Sequence, residues 1–226
     1  MDAKIQAAVD LWNAQVKEGD LKSELTTLLA PENADKLYDA FYRDLAFGTA
    51  GLRGVLGVGT NRMNVYVVAQ ATQGVADYLN AHYEHPSLAL ARDSRNKGED
   101  FQRVAAGVLA ANGIKVYVYP RIEPVPTLSF AVRYLHTSAG IVLTASHNPA
   151  VYNGYKVYND NGGQITDEAA AEISANIARV NPFDVKIMDF DEGLVQGLIE
   201  WTSEEVLDNF IAAIKRVSVP GFKAAD

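Results

Sequence analysis

The chain contains no cysteine among its 226 residues. Disulfide scaffolds, cysteine-ligated zinc, iron–sulfur clusters and thiol nucleophiles are therefore excluded together. A reducing compartment, the cytoplasm, is the expected location. No uninterrupted apolar run reaches about 18 residues, the length that suggests a membrane-crossing helix. The opening Met1-Asp2-Ala3-Lys4-Ile5-Gln6 has neither the basic start nor the apolar stretch of a secretory signal. Positive charge is in deficit, with 20 Lys+Arg against 28 Asp+Glu and a formal net charge of −8. Nucleic-acid binding needs a basic face, so nucleic acid is not an expected partner, and without a spanning run neither is a membrane. The four histidines, His82, His85, His136 and His147, lack metal-ligand spacing. Internal repeats, low-complexity tracts and long linkers are also absent.

The residues that are present read as a layered α/β chain. Ile5, Ala8, Val9, Trp12 and Val16 recur at helical spacing, followed by Leu21, Leu25, Leu28 and Leu29, then Leu37, Phe41 and Leu45. Residues 1–45 are thus expected to form a helical extension. A glycine-rich stretch from Phe47 to Asn61 leads into a long amphipathic helix marked by Val65, Val68, Ala69, Thr72, Val75, Ala76 and Leu79. Strands are expected at Leu88–Ala91, Ile114–Tyr119 and Gly140–Leu143, with helices between them. Asn112-Gly113 and Pro124/Pro126 mark helix ends. Later helices are expected around Ile173 to Val180 and from Thr202, where Glu205 three residues on suggests a capping box. The fold class implied is a three-layer α/β/α domain with a mixed, mostly parallel sheet over 46–217. Residues 218–226 read as a linker toward a further domain.

Three strand ends carry chemistry, as ligand sites in open α/β sheets do. In Thr144-Ala145-Ser146-His147-Asn148-Pro149 a buried strand runs straight into a segment that Asn148-Pro149 keeps from becoming helical. That turn would lift the Ser146 hydroxyl out of the core. Gly154, in Tyr152-Asn153-Gly154-Tyr155-Lys156, would permit a turn that points Lys156 back at Ser146. Gly48-Thr49-Ala50-Gly51-Leu52-Arg53-Gly54 lets backbone and guanidinium approach one anion, although a plain bulged hairpin fits equally well. It is neither a dinucleotide fingerprint nor a Walker A loop. Arg92-Asp93-Ser94-Arg95 is either a third part of the site or an ordinary strand-end ion pair. A serine after a strand is most often a turn hydroxyl, and no Gly-x-Ser-x-Gly elbow supports a hydrolase. Together, Arg53, Arg95, Lys156 and a hydroxyl at strand ends of an acidic chain suit phosphoryl chemistry, which depends on positioning and cationic stabilisation.

Thr-Ala-Ser-His-Asn-Pro at 144–149, Tyr-Asn-Gly-Tyr-Lys at 152–156 and Gly-Thr-Ala-Gly-Leu-Arg-Gly at 48–54 resemble the α-D-phosphohexomutase superfamily, in its bacterial phosphoglucomutase/phosphomannomutase branch. The resemblance runs from about residue 40 to the end. It implies the first domain of a four-domain enzyme that interconverts hexose 1-phosphate and hexose 6-phosphate. Ser146 would carry the phosphate as phosphoserine, and a hexose 1,6-bisphosphate would be intermediate and activator. Lys156 and Arg53 would be the acid/base or charge-stabilising pair. Thr144, His147, Asn148 and Thr49 would shape the phosphoserine loop and meet substrate, with Asp93 and Arg95 in support. Mg²⁺ would be held by one phosphoserine oxygen and by three aspartates of an Asp-Gly-Asp-x-Asp-Arg loop in a second domain. That loop is not found here, and Asp189-Phe190-Asp191-Glu192 reads as a solvated turn rather than its substitute. The implied partners are hexose phosphates and the C-terminal domains, with an apolar patch where the second domain would dock. The 226 residues alone are expected to be inactive. The alternative is a non-catalytic phosphosugar-binding module.

Overall fold

The computed structural model describes residues 2–17 and 19–219. Nine α-helices and six strands are found among them: α1 (Ala3–Gln15), α2 (Asp20–Leu28), α3 (Ala34–Phe41), β1 (Leu52–Val55), α4 (Val65–His82), β2 (Ser87–Arg92), α5 (Gly98–Ala111), β3 (Lys115–Val118), α6 (Val125–Tyr134), β4 (Ala139–Leu143), β5 (Tyr152–Asn159), α7 (Asp167–Ile177), α8 (Phe190–Val195), β6 (Ile199–Trp201) and α9 (Glu204–Arg216). The strands form one sheet in the order β1-β5-β4-β2-β3-β6. β4, β2, β3 and β6 are parallel, while β5 runs antiparallel to both β4 and β1. No described helix is long and apolar enough to cross a membrane. Of the expected linker, residues 220–226 lie outside the described residues.

The sheet is buried on both faces, which is why its central strands are nearly continuous apolar runs. Alternation still sorts the side chains: Leu88 and Leu90 of β2 enter the core beneath α4, α5 and α7, while Ala89 and Ala91 enter a smaller core with Leu128, Ala131 and Val132 of α6. The N-terminal helices join the larger core. Trp12 is buried, edge-on to Phe41, Tyr66 and Phe183.

Several local expectations are corrected. Gly154 does not turn the chain; it sits mid-strand in β5 between two neighbours. An added Cβ there would lie 2.5 Å from the Thr144 carbonyl oxygen and 2.9 Å from that of Leu52, so only glycine lets β5 thread between those backbones. The capping box at Thr202 is not formed. The N-cap of α9 is Ser203, without a side-chain cap bond, while Thr202 is buried and its N–H extends the β3 pairing by donating to the Val118 carbonyl. Asp189 opens a short helix rather than a free turn, its carboxylate accepting the N–H groups of Asp191 and Glu192, and Phe190 is buried. Leu45 lies past the end of α3, and its N–H donates to the Thr60 carbonyl. The short strand β6 lacked a sequence signal because three residues show no period. On α9, Ile211, Ile214 and the following Val217 remain exposed.

Candidate active site

Antiparallel pairing builds the site. β4 ends at Leu143, opposite Tyr155, and the next pair inward sets Val142 opposite Lys156. The chain leaving β4 therefore turns beside the point where β5 delivers Lys156. Ser146 stands in that turn with φ 54°, a left-handed conformation that costs a non-glycine residue about 1–2 kcal/mol. The neighbours offset the strain. Ser146 N–H donates to Thr144 Oγ1 at 2.9 Å, and Thr144 Oγ1–H donates to Asp93 Oδ2 at 2.5 Å. The other carboxylate oxygen of Asp93 accepts the Arg95 N–H at 3.0 Å. The Ser146 side chain is exposed, and Lys156 Nζ donates to its Oγ at 3.0 Å.

Arg95 holds this loop from beneath. Its Nη1 donates to the carbonyls of Pro149 and Tyr152, both at 2.9 Å, and its Nη2 to those of Ser146 and Asn148 at 2.8 and 2.6 Å. The reading of Asp93 and Arg95 as an ordinary surface ion pair is therefore replaced. Arg95 is only 11% exposed, its Nε is 3.8 Å from Asp93 Oδ2, and its terminal nitrogens are committed to loop carbonyls rather than turned to a ligand.

Arg53 approaches from the other side. β1 pairs with β5 so that Arg53 lies opposite Gly154, and its Nη1 donates to Asn148 Oδ1 at 3.2 Å. The preceding Gly48 and Gly51 close a tight turn around Thr49 and Ala50 by mutual backbone hydrogen bonds. Gly51 adopts φ +74° with its α-carbon against the backbone of Tyr155 and Lys156, where a side chain would collide with the Tyr155 carbonyl. The glycine-rich stretch is thus a tight turn feeding an edge strand.

Ser146, Lys156, Arg53, Thr144, Asn148, Asp93 and Arg95 form one connected cluster. His147 and Thr49 make no side-chain hydrogen bond to it among the described residues; His147 is exposed on the loop and Thr49 sits in the neighbouring turn. Sequence reasoning passed over Asn153, which is fully buried and donates from Nδ2 to the Asn96 carbonyl at 3.0 Å, tying the Asp93–Asn96 loop to β5. Asn-Gly read locally as a turn, which hid it.

A cavity of about 260 Å³ opens beside Ser146, lined by Asp93, Ser94, Arg95, Asn96, Asn148 and Ala150. A larger one of about 520 Å³ lies between α2 and the starts of α4 and α5, but no side-chain hydroxyl lines it. The smaller cavity is the candidate site because the hydroxyl held on the strained turn opens onto it, with Lys156 bonded to that hydroxyl and Arg53 bonded to Asn148 of its lining.

The family described as "Phosphoglucomutase/phosphomannomutase, alpha/beta/alpha domain I" matches residues 44–182. A phosphoglucomutase of Staphylococcus haemolyticus is 40% identical over 175 residues, 77% of this chain and 32% of that protein. One of Staphylococcus saprophyticus is 35% identical over 206 residues, 91% of this chain and 37% of that protein. The chain thus spans about a third of the length of the curated relatives it matches. Among solved structures, a protein of Thermus thermophilus described as a phosphomannomutase superposes with TM-score 0.65 at 29% identity, covering 77% of this chain and 36% of that one. A phosphoglucomutase/phosphomannomutase family protein of Burkholderia thailandensis, at 23% identity and TM-score 0.59 over 76% of this chain and 35% of that one, shares the fold. Because the family match spans residues 44–182, more than half of its length, the chain belongs to the phosphoglucomutase/phosphomannomutase family.

Proposed function

We propose that this chain is the phosphate-carrying first domain of an enzyme that interconverts hexose 1-phosphate and hexose 6-phosphate, with Ser146 the carrier. In this reading residues 1–45 are a helical extension, 46–217 the domain proper and 218–226 the start of a linker. The observation that carries it is the 3.0 Å hydrogen bond from Lys156 Nζ to Ser146 Oγ on a turn held in a strained conformation. A hydroxyl that served only the turn would need neither the strain nor a cation aimed at its oxygen.

In the transfer step the P–Oγ bond of phosphoserine 146 breaks as a sugar hydroxyl oxygen bonds to phosphorus. Lys156 supplies the proton that Oγ needs as it departs, and the proton lost by the sugar hydroxyl is taken up in exchange by the amine so formed, which restores the ammonium. Arg53 stabilises the charge spread over the equatorial oxygens, the main demand of phosphoryl transfer. Arg95, Thr144 and Asp93 contribute by fixing the loop, so little reorganisation accompanies the reaction. The hexose 1,6-bisphosphate formed then returns its other phosphoryl group to Ser146.

Magnesium, when bound, would neutralise charge on the transferring group. In this chain the fitting ligand is a phosphoryl oxygen on Ser146, since Asp93 in the same cavity is already engaged by Thr144 and the Arg95 N–H. Among the described residues no three His, Asp or Glu side chains cluster to hold a metal. We therefore assign the other ligands to polypeptide that the longer relatives possess outside the matched region. The 226 residues alone would then turn over little or no hexose phosphate, and a cysteine-free chain suits a cytoplasmic setting.

Intact mass after incubation with glucose 1,6-bisphosphate, together with the remaining domains, tests the reading. A gain of about 80 Da that Ser146→Ala abolishes is expected. A Ser146→Ala full-length protein with wild-type mutase rate would sink it.

A further inference from the structure

The family match begins at residue 44, leaving the packed N-terminal helices without a role. Apart from the Lys17 N–H on the Tyr66 hydroxyl and the Asp20–Lys97 pair, their polar contacts with the rest of the described residues fall on the segment Gly57–Arg62 that returns from β1. Glu24 of α2 accepts the Val58 N–H through Oε2 at 3.0 Å. Ala40 of α3 accepts the Asn61 N–H at 3.0 Å, and Asp39 pairs with Arg62 at 2.5 Å. Thr60 is bonded twice to the chain just after α3, its Oγ1 donating to the Arg43 carbonyl at 2.7 Å and its carbonyl accepting the Leu45 N–H at 2.9 Å. Gly59, at φ +125°, has its α-carbon so near the Ala40 carbonyl that a side chain would collide with it. A Cβ on Gly54, the residue following Arg53, would lie 2.8 Å from Leu45 Cδ1.

Arg53 stands on β1, an edge strand of four residues that, among the described residues, pairs with β5 alone apart from the Met63 N–H on the Val55 carbonyl. A short edge strand with one ladder is weakly held. We infer that the N-terminal helices are the second support of that strand, and that Glu24 and Gly59 are positioning residues acting through Gly57–Arg62 to keep the Arg53 guanidinium on Asn148 of the Ser146 loop. Glu24 acts through its oxygen as an acceptor, and Gly59 by allowing α3 to approach. The inference rests on the proposed role of Arg53, but the placement of Arg53 is measurable without any turnover.

The test uses this chain as it stands, with amide hydrogen exchange and the NMR signals of the Arg53 guanidinium. Glu24→Ala and Gly59→Ala are expected to speed exchange at residues 52–58 by about tenfold while β2, β3 and β4 are unchanged, and to move the Arg53 guanidinium signals to those of Asn148→Ala. Glu24→Gln, which keeps the acceptor oxygen, should restore both readouts. If Gly59→Ala does not fold, the Glu24 pair decides alone. Unchanged exchange at 52–58, a uniform rise across the sheet, or Arg53 signals that stay put would overturn the inference. Loss of the mutase reading would appear separately, as full activity of Ser146→Ala.

Discussion

Lys156 and Ser146 are ten residues apart in sequence, yet the Lys156 Nζ hydrogen-bonds the Ser146 Oγ at 3.0 Å because β5 returns antiparallel beside the strand that ends in the serine turn. The ammonium is thus aimed at the atom that would become the leaving oxygen. Removing it strips proton delivery without disturbing the buried network under the loop. In a full-length enzyme, Lys156→Ala should lower kcat by about 10²–10⁴-fold. Steady-state kinetics would show the loss in kcat more than in KM, and a fall in KM alone would refute the assignment.

Arg95 makes a fork that lysine cannot copy. Arg95→Lys would satisfy at most part of the four carbonyls now bonded, leaving the others beneath the loop poorly paired. A destabilisation of about 1–3 kcal/mol is expected by urea denaturation. Unchanged stability would mean that the loop holds itself.

Burial pushes the Glu24 carboxyl above its ordinary value of 4.5, against the lowering effects of the Val58 N–H and the more distant Arg62. A raised folded pKa means that the native state holds the proton more tightly than the unfolded chain. That stability is fully present below the unfolded pKa and is lost as pH rises through the folded one. Glu24→Gln should therefore gain on the wild type between pH 4 and pH 7. Denaturation midpoints at the two pH values check this, and a constant difference would contradict it.

Tyr155 is fully buried, its hydroxyl has no partner in good hydrogen-bond geometry among the described residues, the neighbouring Thr72 hydroxyl donating to the Val68 carbonyl instead, and burial holds its pKa well above the ordinary tyrosine range. Tyr155→Phe removes an unpaired polar atom while keeping the ring. Stability should rise, or at worst hold, by up to about 1 kcal/mol. A marked fall in melting temperature would reveal a partner, with the Thr72 hydroxyl a candidate.

Strong local periodicity made much of this legible. The amphipathic stripes of α1, α4 and α5 and the apolar runs of β2 and β4 could be read directly, since a helix face or a doubly buried strand imprints its own period on the chain. The Ser146 loop, Arg53 and Lys156 were recognisable as chemically unusual stretches at strand ends. Asn153-Gly154 misled because a dipeptide reports backbone tolerance and not the reason for it: here the glycine answers two neighbouring backbones, not a turn.

Residue order alone established the layered α/β class, the acidic surface and the polar residues at the ends of strands, because these follow from spacing and composition along one dimension. Tertiary structure alone decided that Arg95 grips the serine loop through four carbonyls, that Asn153 ties the Asp93–Asn96 loop to β5, and that residues of α2, of α3 and of the chain just after it bond the segment that follows the Arg53 strand. Those contacts join residues 51 to 57 positions apart in the loop and 15 to 34 at that segment. Their existence depends on strand register and helix approach, quantities that no local pattern encodes.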